Sequence, residues 1–324
     1  MMEFFKNFVE LTRGYTLLVT FASCFVIYSY AHYSPRFSMI SFILMAIGLC
    51  CVHLGANLYD DYKDVKKQLE AGKKLDEVSF NAYIPKAMPI RNRIFSLNAT
   101  RHIINMLFVI AIAIGICFIQ VSGWPVAIFM TLGAICTLFY PYSSKYNCQE
   151  LIVGLVFGPF MIVGGYYALT SEFNFGLILL SFAMFFATLT LLHAKNIMDW
   201  EFDIQDNKKT LAILSGSKEN AIKLLTLIMS VPYIIVIYGV LTHEFNPKML
   251  YVFLTLPIAT KLISSMKEYI MVKNVEFKPR WYWGMFENWK NIKERNIEFF
   301  MFRFYLARNF SFFFGLFAAI GVML

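Results

Sequence analysis

The sequence predicts an all-α polytopic membrane protein, nine transmembrane helices around a central cavity open to the cytoplasmic side. Composition is the first observation: 58% of the 324 residues are hydrophobic and only 15% charged, with a mean hydropathy of +0.58, far outside the range of soluble globular chains. The second is that apolar runs of about twenty residues recur along the whole length, enough for a helix to cross about 30 Å of hydrocarbon. The third is a pair of acidic clusters, each closing one of those runs. No composition break divides the chain, which reads as a single transmembrane domain over 1–324.

Taken in order, the first run covers 15–33 and the second 38–58, joined by a short connection that carries Arg36. The second ends in Asn57-Leu58-Tyr59-Asp60-Asp61-Tyr62-Lys63-Asp64 and passes into a long, lysine-rich loop, 59–101. Runs at 102–121 and 123–141 are the third and fourth; the turn at 142–148, with Lys145, leads to the fifth at 149–170 and the sixth at 174–195. The sixth ends in the second acidic stretch, Asn196-Ile197-Met198-Asp199-Trp200-Glu201-Phe202-Asp203-Ile204-Gln205-Asp206. A polar loop over 195–223 precedes runs at 221–242 and 248–266, and a charged connection, 267–299, precedes the ninth at 300–323. The two acidic clusters are four spans apart, as an internal duplication would put them, although little else matches between the halves.

All 29 lysines and arginines except Arg36 and Lys248 fall on the side of the acidic clusters. By the positive-inside rule that face, with the N-terminus, is cytoplasmic, in the cell (inner) membrane. The net charge of +8 is then accounted for by topology and contact with anionic lipid. Nucleic-acid binding is not expected, and the bilayer is the one macroscopic partner; no obligate protein partner is implied. The six cysteines show no metal-ligand spacing and read as small apolar fillers. Phe21-Ala22-Ser23-Cys24 is weakly like a lipoprotein cleavage box, but the apolar run continues past it, so no cleaved signal is expected. Between 273 and 300, Trp281, Trp283 and Trp289 mix with Lys278, Arg280, Lys290, Lys293 and Arg295. An interfacial amphipathic helix, either a membrane anchor or a lid over the cavity mouth, explains that mixture.

Asn57, Asp60, Asp61 and Asp64 fall at i, i+3, i+4, i+7, and Asn196, Asp199, Asp203 and Asp206 at i, i+3, i+7, i+10. Each set lies on one helical face. Like charges stacked this way repel one another, and carboxylates at the mouth of a membrane span are costly unless a cation or a water-filled cavity neutralises them. Oxygen-only ligands in this density suit hard cations such as Mg²⁺, usually bound together with substrate phosphate. Two facing acidic helices therefore point to a magnesium-diphosphate site.

With those residues in place, the chain resembles the UbiA-type intramembrane prenyltransferases, a nine-helix family with Asp-rich motifs after helices 2 and 6. Asn196-x-x-Asp199-x-x-x-Asp203 followed by Lys208-Lys209-Thr210-Leu211-Ala212 is most similar to the 1,4-dihydroxy-2-naphthoate polyprenyltransferase branch. Asn57-x-x-Asp60-Asp61-x-x-Asp64 resembles that branch's first motif, with Asp60 where Asn is usual. Glu150, Phe157-Gly158-Pro159 and Gly164-Gly165-Tyr166-Tyr167 are similar to its E…F-G-P…G-T-Y-Y stretch, and Tyr140-Pro141-x-x-x-Lys145 to a Y-P-x-x-x-[KR] element of the wider family. In the loops the chain departs: Arg93 and Asn207 stand where the family has glycine, which predicts loops of different shape.

The resemblance implies transfer of a polyprenyl group from its diphosphate to an aromatic acceptor, 1,4-dihydroxy-2-naphthoate in this branch, with loss of the acceptor carboxylate. Asp60, Asp61, Asp64, Asp199 and Asp203 would ligate Mg²⁺, the last four as catalytic groups, with Asn57 and Asn196 as neutral ligands at the substrate. Lys145, Lys208 and Arg91 are candidates for phosphate oxygens, because a leaving diphosphate is stabilised by cations that hold it better as the bond breaks. Tyr140 and Tyr166 are candidates to face the allylic cation. His53 and His193 are each either a base for the acceptor hydroxyl or a satisfied polar contact. The isoprenoid tail is expected among apolar residues of helices 1, 2, 5 and 9. Rival readings are another acceptor (4-hydroxybenzoate, homogentisate, haem or a glycerol phosphate ether) and a cation-coupled transporter.

Overall fold

The computed structural model describes residues 2–80, 83, 86–271 and 277–324. Among these residues nine helices are long and apolar enough to cross a membrane. They are α1 (Gly14–Ala31), α2 (Met39–Glu70), α3 (Leu97–Ser122), α4 (Pro125–Ser143), α5 (Gln149–Thr170), α6 (Phe175–Met198), α7 (Lys218–Leu241), α8 (Pro247–Met271) and α9 (Glu298–Met323). No strand occurs among the described residues. Each helix packs on the next in sequence, and α9 returns to α1, so the nine close a ring in chain order. α6 and α9 are the most buried of them and α4 the least. The main core joins α1, α5, α6, α7, α8 and α9 through residues such as Val26, Leu180, Leu225 and Phe310.

The helix starts follow from local chemistry. Ser38, Ser96, Asn174 and Ser217 each accept a hydrogen bond from a backbone N–H of the first turn, satisfying donors that hydrocarbon could not. α2 runs far beyond the expected end at 58, so its acidic cluster lies inside a helix. Lys66–Glu70 pairs at 3.5 Å along its last turn. The helix ends at Gly72, whose φ of +90° is a conformation glycine adopts without a Cβ penalty; Gly72 N–H donates to Leu69 O at 3.0 Å and Lys73 N–H to Gln68 O at 3.1 Å.

α5 is broken midway. A wide turn spans Val156–Phe160, Gly158 is non-helical at φ −94°, ψ −106°, and Pro159 has no N–H to give. The carbonyl freed at Phe157 accepts the Ser23 hydroxyl at 2.7 Å. At the kink α5 touches α6 backbone to backbone: a Cβ on Gly158 would lie 2.6 Å from Ser181 O and 2.9 Å from Phe185 N.

The described residues of two connections pack on the bundle. The segment after α2 has its own hydrophobic footing, in which Val78, Ile90 and Phe95 pack with Leu58, Val65, Ile104 and Leu11. After α8, the residues from 277 to 297 form a strap with a short turn at Trp281–Trp283 and a helix at Trp289–Glu294, where the sequence suggested one amphipathic helix; 272–276 lie outside the described residues. Fully buried Arg308 on α9 pairs with the Glu287 carboxylate and donates to Met285 O at 2.9 Å, while Asn309 donates to Trp283 O at 2.9 Å.

Replacing Gly158 by Ala should force α5 and α6 apart and cost roughly 1–3 kcal/mol, the usual range for overpacking. The thermal unfolding midpoint of the purified protein in detergent checks this; an unchanged midpoint would mean that the two backbones do not meet at this kink.

Candidate functional site

α2 and α6 bring both acidic clusters to the same end of the ring. Beside them opens a cavity of about 170 Å³, lined by Arg13 and Tyr15, by His53 and Asn57 of α2, by Tyr140 of α4, and by Lys195 of α6, with further residues of α5 and α9; its lining holds partners of the carboxylates rather than the carboxylates themselves. Asp61 and Asp199 are 0% and 2% exposed, and Asp203 is 1% exposed. A bare carboxylate cannot remain charged in such a place without partners. Cations of the same chain supply them.

Arg13 Nη2 lies 3.2 Å from Asp60 Oδ2 and 3.1 Å from Asp61 Oδ1, and it donates to Asn57 O at 2.9 Å. The contact with Asp61 is an ion pair without hydrogen-bond geometry, so Asp61 Oδ1 still lacks a donor. Lys86, reaching in from the 71–96 connection, is 3.5 Å from both Asp60 and Asp64, and Ala87 N–H donates to Asp61 Oδ2 at 3.3 Å. On the other side Lys195 pairs with Asp199 at 2.8 Å, and Lys208 with Asp203 at 3.0 Å and Asp206 at 3.2 Å. The two halves sense each other, since Lys208 acts electrostatically on Asp64 and Lys86 on Lys195. Burial alone would lower the Arg13 and Lys86 pKa values, but the adjacent carboxylates outweigh it and hold both above their ordinary values. At Asp203 burial wins and raises the carboxyl, with Lys195 and Lys208 opposing it in part.

α6 stops at Met198, and Asp199 caps it before the chain continues as the short helix Trp200–Gln205. Asp203 N–H still donates to Asp199 O at 2.8 Å, which keeps the i, i+4 relation of the two carboxylates across the break. Glu150, buried at the start of α5, braces this corner: its Oε1 accepts from Asn196 Nδ2 at 2.7 Å and from Leu211 N–H at 3.0 Å. The two loop departures keep the backbone that favours glycine, with Arg93 at φ 59° and Asn207 at φ 52°.

Of the residues singled out in the sequence, Asn57, Asp60, Asp61, Asp64, Asn196, Asp199, Asp203 and Lys208 come together at this mouth. Tyr140 lines the cavity, and its hydroxyl accepts from Gln149 Nε2 at 3.2 Å. Tyr166 does not line it and is packed in the main core. Lys145 stands exposed, and Arg91 turns toward Met88 Sδ at 3.7 Å. His53 is held by two threonines, with Thr16 Oγ1 3.0 Å from Nε2 and Thr20 Oγ1 2.6 Å from Nδ1. Because Thr16 gives its own proton to Arg13 O at 2.8 Å, Nε2 is the donor and Nδ1 accepts from Thr20, an assignment made from the network. No lone pair is left for a substrate. His193 hydrogen-bonds Ala221 O at 3.0 Å through Nε2. Sequence reasoning missed Arg13, Lys86 and Lys195; of these only Lys195, four residues before Asp199, carried a local signal.

A second, apolar chamber of about 360 Å³ lies between α2, α3, α4 and α5 and shares Val52, Thr137, Val156 and Met161 with the polar cavity. Apolar space thus adjoins the first cavity on helices 2 to 5.

Comparison with known proteins is consistent across three levels. The profile of the UbiA prenyltransferase family matches residues 16–269. The 1,4-dihydroxy-2-naphthoate octaprenyltransferase of Bacillus subtilis is 25% identical over 270 residues, 82% of this chain and 84% of that one. The 2-carboxy-1,4-naphthoquinone phytyltransferase of Synechocystis sp. is 29% identical over 130 residues, 40% of this chain and 42% of that one. Among solved structures, a digeranylgeranylglyceryl phosphate synthase superposes with a TM-score of 0.60 at 13% identity, covering 99% of each chain. A UbiA homolog from Archaeoglobus fulgidus bound to GPP and Mg²⁺ gives 0.56 at 14% identity, covering 94% of this chain and 99% of that one. At these identities the solved structures bear on the fold alone.

Replacing Arg13 by Met should leave buried carboxylates short of a counter-charge and cost about 3 kcal/mol. Adding Asp60→Asn to that variant should recover part of the loss. A double-mutant cycle on unfolding midpoints measures the coupling; strictly additive losses would show that the pair does not act as a unit.

Proposed function

The chain belongs to the UbiA prenyltransferase family, and from that premise we propose that it moves a polyprenyl group from its diphosphate to 1,4-dihydroxy-2-naphthoate. It is an integral membrane protein and a prenyltransferase. The observation that supports the finer reading is the convergence of two carboxylate-bearing helix segments beside a cavity that is lined by their partners Arg13 and Lys195 and adjoins apolar space. The acceptor follows the two named relatives, both of which act on naphthoate or naphthoquinone carboxylates.

Mg²⁺ suits the donors present. Asp199 Oδ1 and Asp203 Oδ2 are buried oxygens without a hydrogen-bond partner, and all the clustered side chains are oxygen donors. Among the described residues no three acidic, His or Cys side chains form a ready-made metal cluster. Asp60, Asp61, Asp64, Asp199 and Asp203 would hold Mg²⁺, the ion with which one structural neighbour is described. When bound, the ion supplies Lewis acidity to the departing diphosphate.

The chain's own groups do the rest. Arg13, Lys86, Lys195 and Lys208 are the cations that would hold the phosphate oxygens, where charge grows as the allylic C–O bond breaks. Asn57 is held by its amide donating to Thr16 Oγ1 at 3.0 Å, and Asn196 by Glu150, so both amide oxygens keep fixed directions. Tyr140 offers a ring face beside the allylic carbon. The diphosphate leaves with the electron pair of the broken bond, the acceptor ring forms the new C–C bond, and the acceptor carboxylate departs as carbon dioxide, returning a pair to the ring. The apolar walls exclude water from the cation. We read the mouth as cytoplasmic because the basic residues lie there, and the whole chain as one catalytic domain.

The test uses protein purified in detergent with geranylgeranyl diphosphate, Mg²⁺ and a panel of the naphthoate, 4-hydroxybenzoate, homogentisate and glycerol phosphate ether acceptors, with products analysed by mass. The naphthoate should be prenylated with loss of CO₂. Asp61→Ala and Asp199→Ala should each lower turnover by about a thousandfold or more, roughly 4 kcal/mol, with helical circular dichroism retained, and chelation of divalent ions should stop the reaction. A fully active Asp199→Ala variant, or activity that survives chelation, would remove the metal assignment; product from another acceptor alone would replace the substrate.

A further inference from the structure

α6 stops at Met198 with Asp199 as its cap, and the last carbonyls of a helix find no partner within that helix. A buried carbonyl then needs a donor from elsewhere. Met198 is fully buried, and its carbonyl accepts the hydroxyl of Tyr269, in the last turn of α8 and 71 residues away, at 3.2 Å. A straight continuation of α6 would offer the same carbonyl the N–H of Phe202, four residues on. The tyrosine therefore supplies from α8 what unbroken helix would have supplied, which lets the break before Asp199 stand.

Tyr269 is itself held from several directions. Lys218 Nζ, at the start of α7, lies 5.0 Å from the ring centroid and Arg303 Cζ of α9 lies 5.1 Å from it, both within range of a cation–π attraction. Its side chain also hydrogen-bonds Tyr83 of the connection after α2. Since Tyr269 gives its proton to Met198 O, Tyr83 is the donor of that second bond, an assignment made from the network. The Tyr83 ring packs at 4.9 Å on Phe202, at 4.8 Å on Phe299 and at 5.5 Å on Phe300. Three residues further on, Lys86 pairs with Asp60 and Asp64. One hydroxyl thus touches both the backbone beside Asp199 and the connection that carries a cation to the first acidic segment.

We propose that Tyr269 is a positioning residue for both acidic segments: its hydroxyl fixes the backbone from which Asp199 and Asp203 project and, through Tyr83, docks the connection that brings Lys86 to Asp60 and Asp64. The proposal rests on the prenyl-transfer reading, since a divalent ion and a diphosphate are what the two segments are positioned for. Tyr269 is no ligand in this reading. It acts through backbone and brings no charge, so its loss weakens the grip on metal and diphosphate and leaves the bond-breaking step alone once both are bound.

The test compares wild type with Tyr269→Phe, Tyr83→Phe, the double variant and Tyr238→Phe, a control 55% exposed on α7. Mn²⁺ is titrated into each protein in nanodiscs with the uncleavable analogue geranyl thiodiphosphate present, and free Mn²⁺ is read by electron paramagnetic resonance. The Kd for Mn²⁺ should rise about tenfold in Tyr269→Phe, the lower end of what losing a group that supports a ligand costs, and should rise in Tyr83→Phe as well. The double variant should bind no more weakly than Tyr269→Phe, because Tyr83 acts through Tyr269. Tyr238→Phe should bind as wild type does. In turnover, the Mg²⁺ activation constant and KM for geranylgeranyl diphosphate should rise with Kd, while kcat at saturating Mg²⁺ stays within about twofold of wild type. An unchanged Kd in Tyr269→Phe overturns the proposal, whether or not kcat and the unfolding midpoint fall, since a merely structural hydroxyl would move only those. Strictly additive losses in the double variant overturn the link through Tyr83. If Tyr269→Phe does not fold, Tyr83→Phe decides, and a Kd equal to that of wild type overturns the proposal. Mn²⁺ binding by a wild type that prenylates no acceptor would refute the reaction, while weaker binding by Tyr269→Phe upheld the positioning role; transfer by wild type with equal Kd values in all variants would do the reverse.

Discussion

The pairing of buried carboxylates with cations of the same chain is the constraint on which the rest of this structure depends. Asp61, Asp199 and Asp203 are nearly inaccessible, and leaving such groups charged without partners would cost far more than the few kcal/mol by which a domain is stable. Arg13, Lys86, Lys195 and Lys208 neutralise them from four separate places: the turn before α1, the connection after α2, the last turn of α6 and the loop beyond it. Each pair therefore fixes a piece of otherwise mobile chain at the mouth of the bundle. The arrangement leaves opposite charges paired side by side at one mouth, so the net charge of the pocket stays low.

The fold sets two unlike spaces side by side. The kink of α5 at Gly158 presses its backbone on α6. On one side of the kink, Glu150 ties Asn196 and the 210–211 backbone together. On the other, α5 becomes a wall of the apolar chamber. Polar grip and apolar volume are thus held in register by one helix. Arg308 and Asn309 do comparable work at α9, where a buried charge and an amide hold the strap by its backbone carbonyls and the Glu287 carboxylate.

Much of this was legible in the sequence where the information is local. The nine spans follow from runs of hydropathy, and the acidic faces from spacing along a helix, so both could be read directly; the same holds for Lys195, one turn from Asp199. Arg13 and Lys86 could not be read, because their partner Asp60 lies 47 and 26 residues away and a lone basic residue beside a span looks like a topological charge. The brace at Glu150 likewise joins residues 46 and 61 positions apart. Nor could the chamber be assigned to α2, α3, α4 and α5, since an aliphatic side chain facing a cavity has the same composition as one facing lipid. Lys145 and Tyr166 matched family patterns, yet one stands at the surface and the other in the core; a pattern in sequence does not carry the direction of a side chain.

Left-handed backbone recurs at this mouth, as it also does at Asn147, Ser171, His243, Asn288 and Asn296. Arg13, Ala87, Arg93 and Asn207 all have left-handed backbone, at φ 53°, 50°, 59° and 52°, a conformation that costs a residue with a side chain about 1–2 kcal/mol, less for Asn. Such positions persist where surrounding contacts over-determine them. Here Arg13 is itself the residue bonded to Asp60 and Asn57 O, Ala87 N–H donates to Asp61 and follows Lys86, and Asn207 precedes Lys208. Arg93 closes the turn in which Ile94 and Phe95 N–H both reach Pro89 O, at 2.9 and 3.1 Å. At Arg13, Ala87 and Asn207 the strain sits in or beside residues that carry positive charge or a donor to the carboxylates, and the attraction of buried carboxylates offsets it.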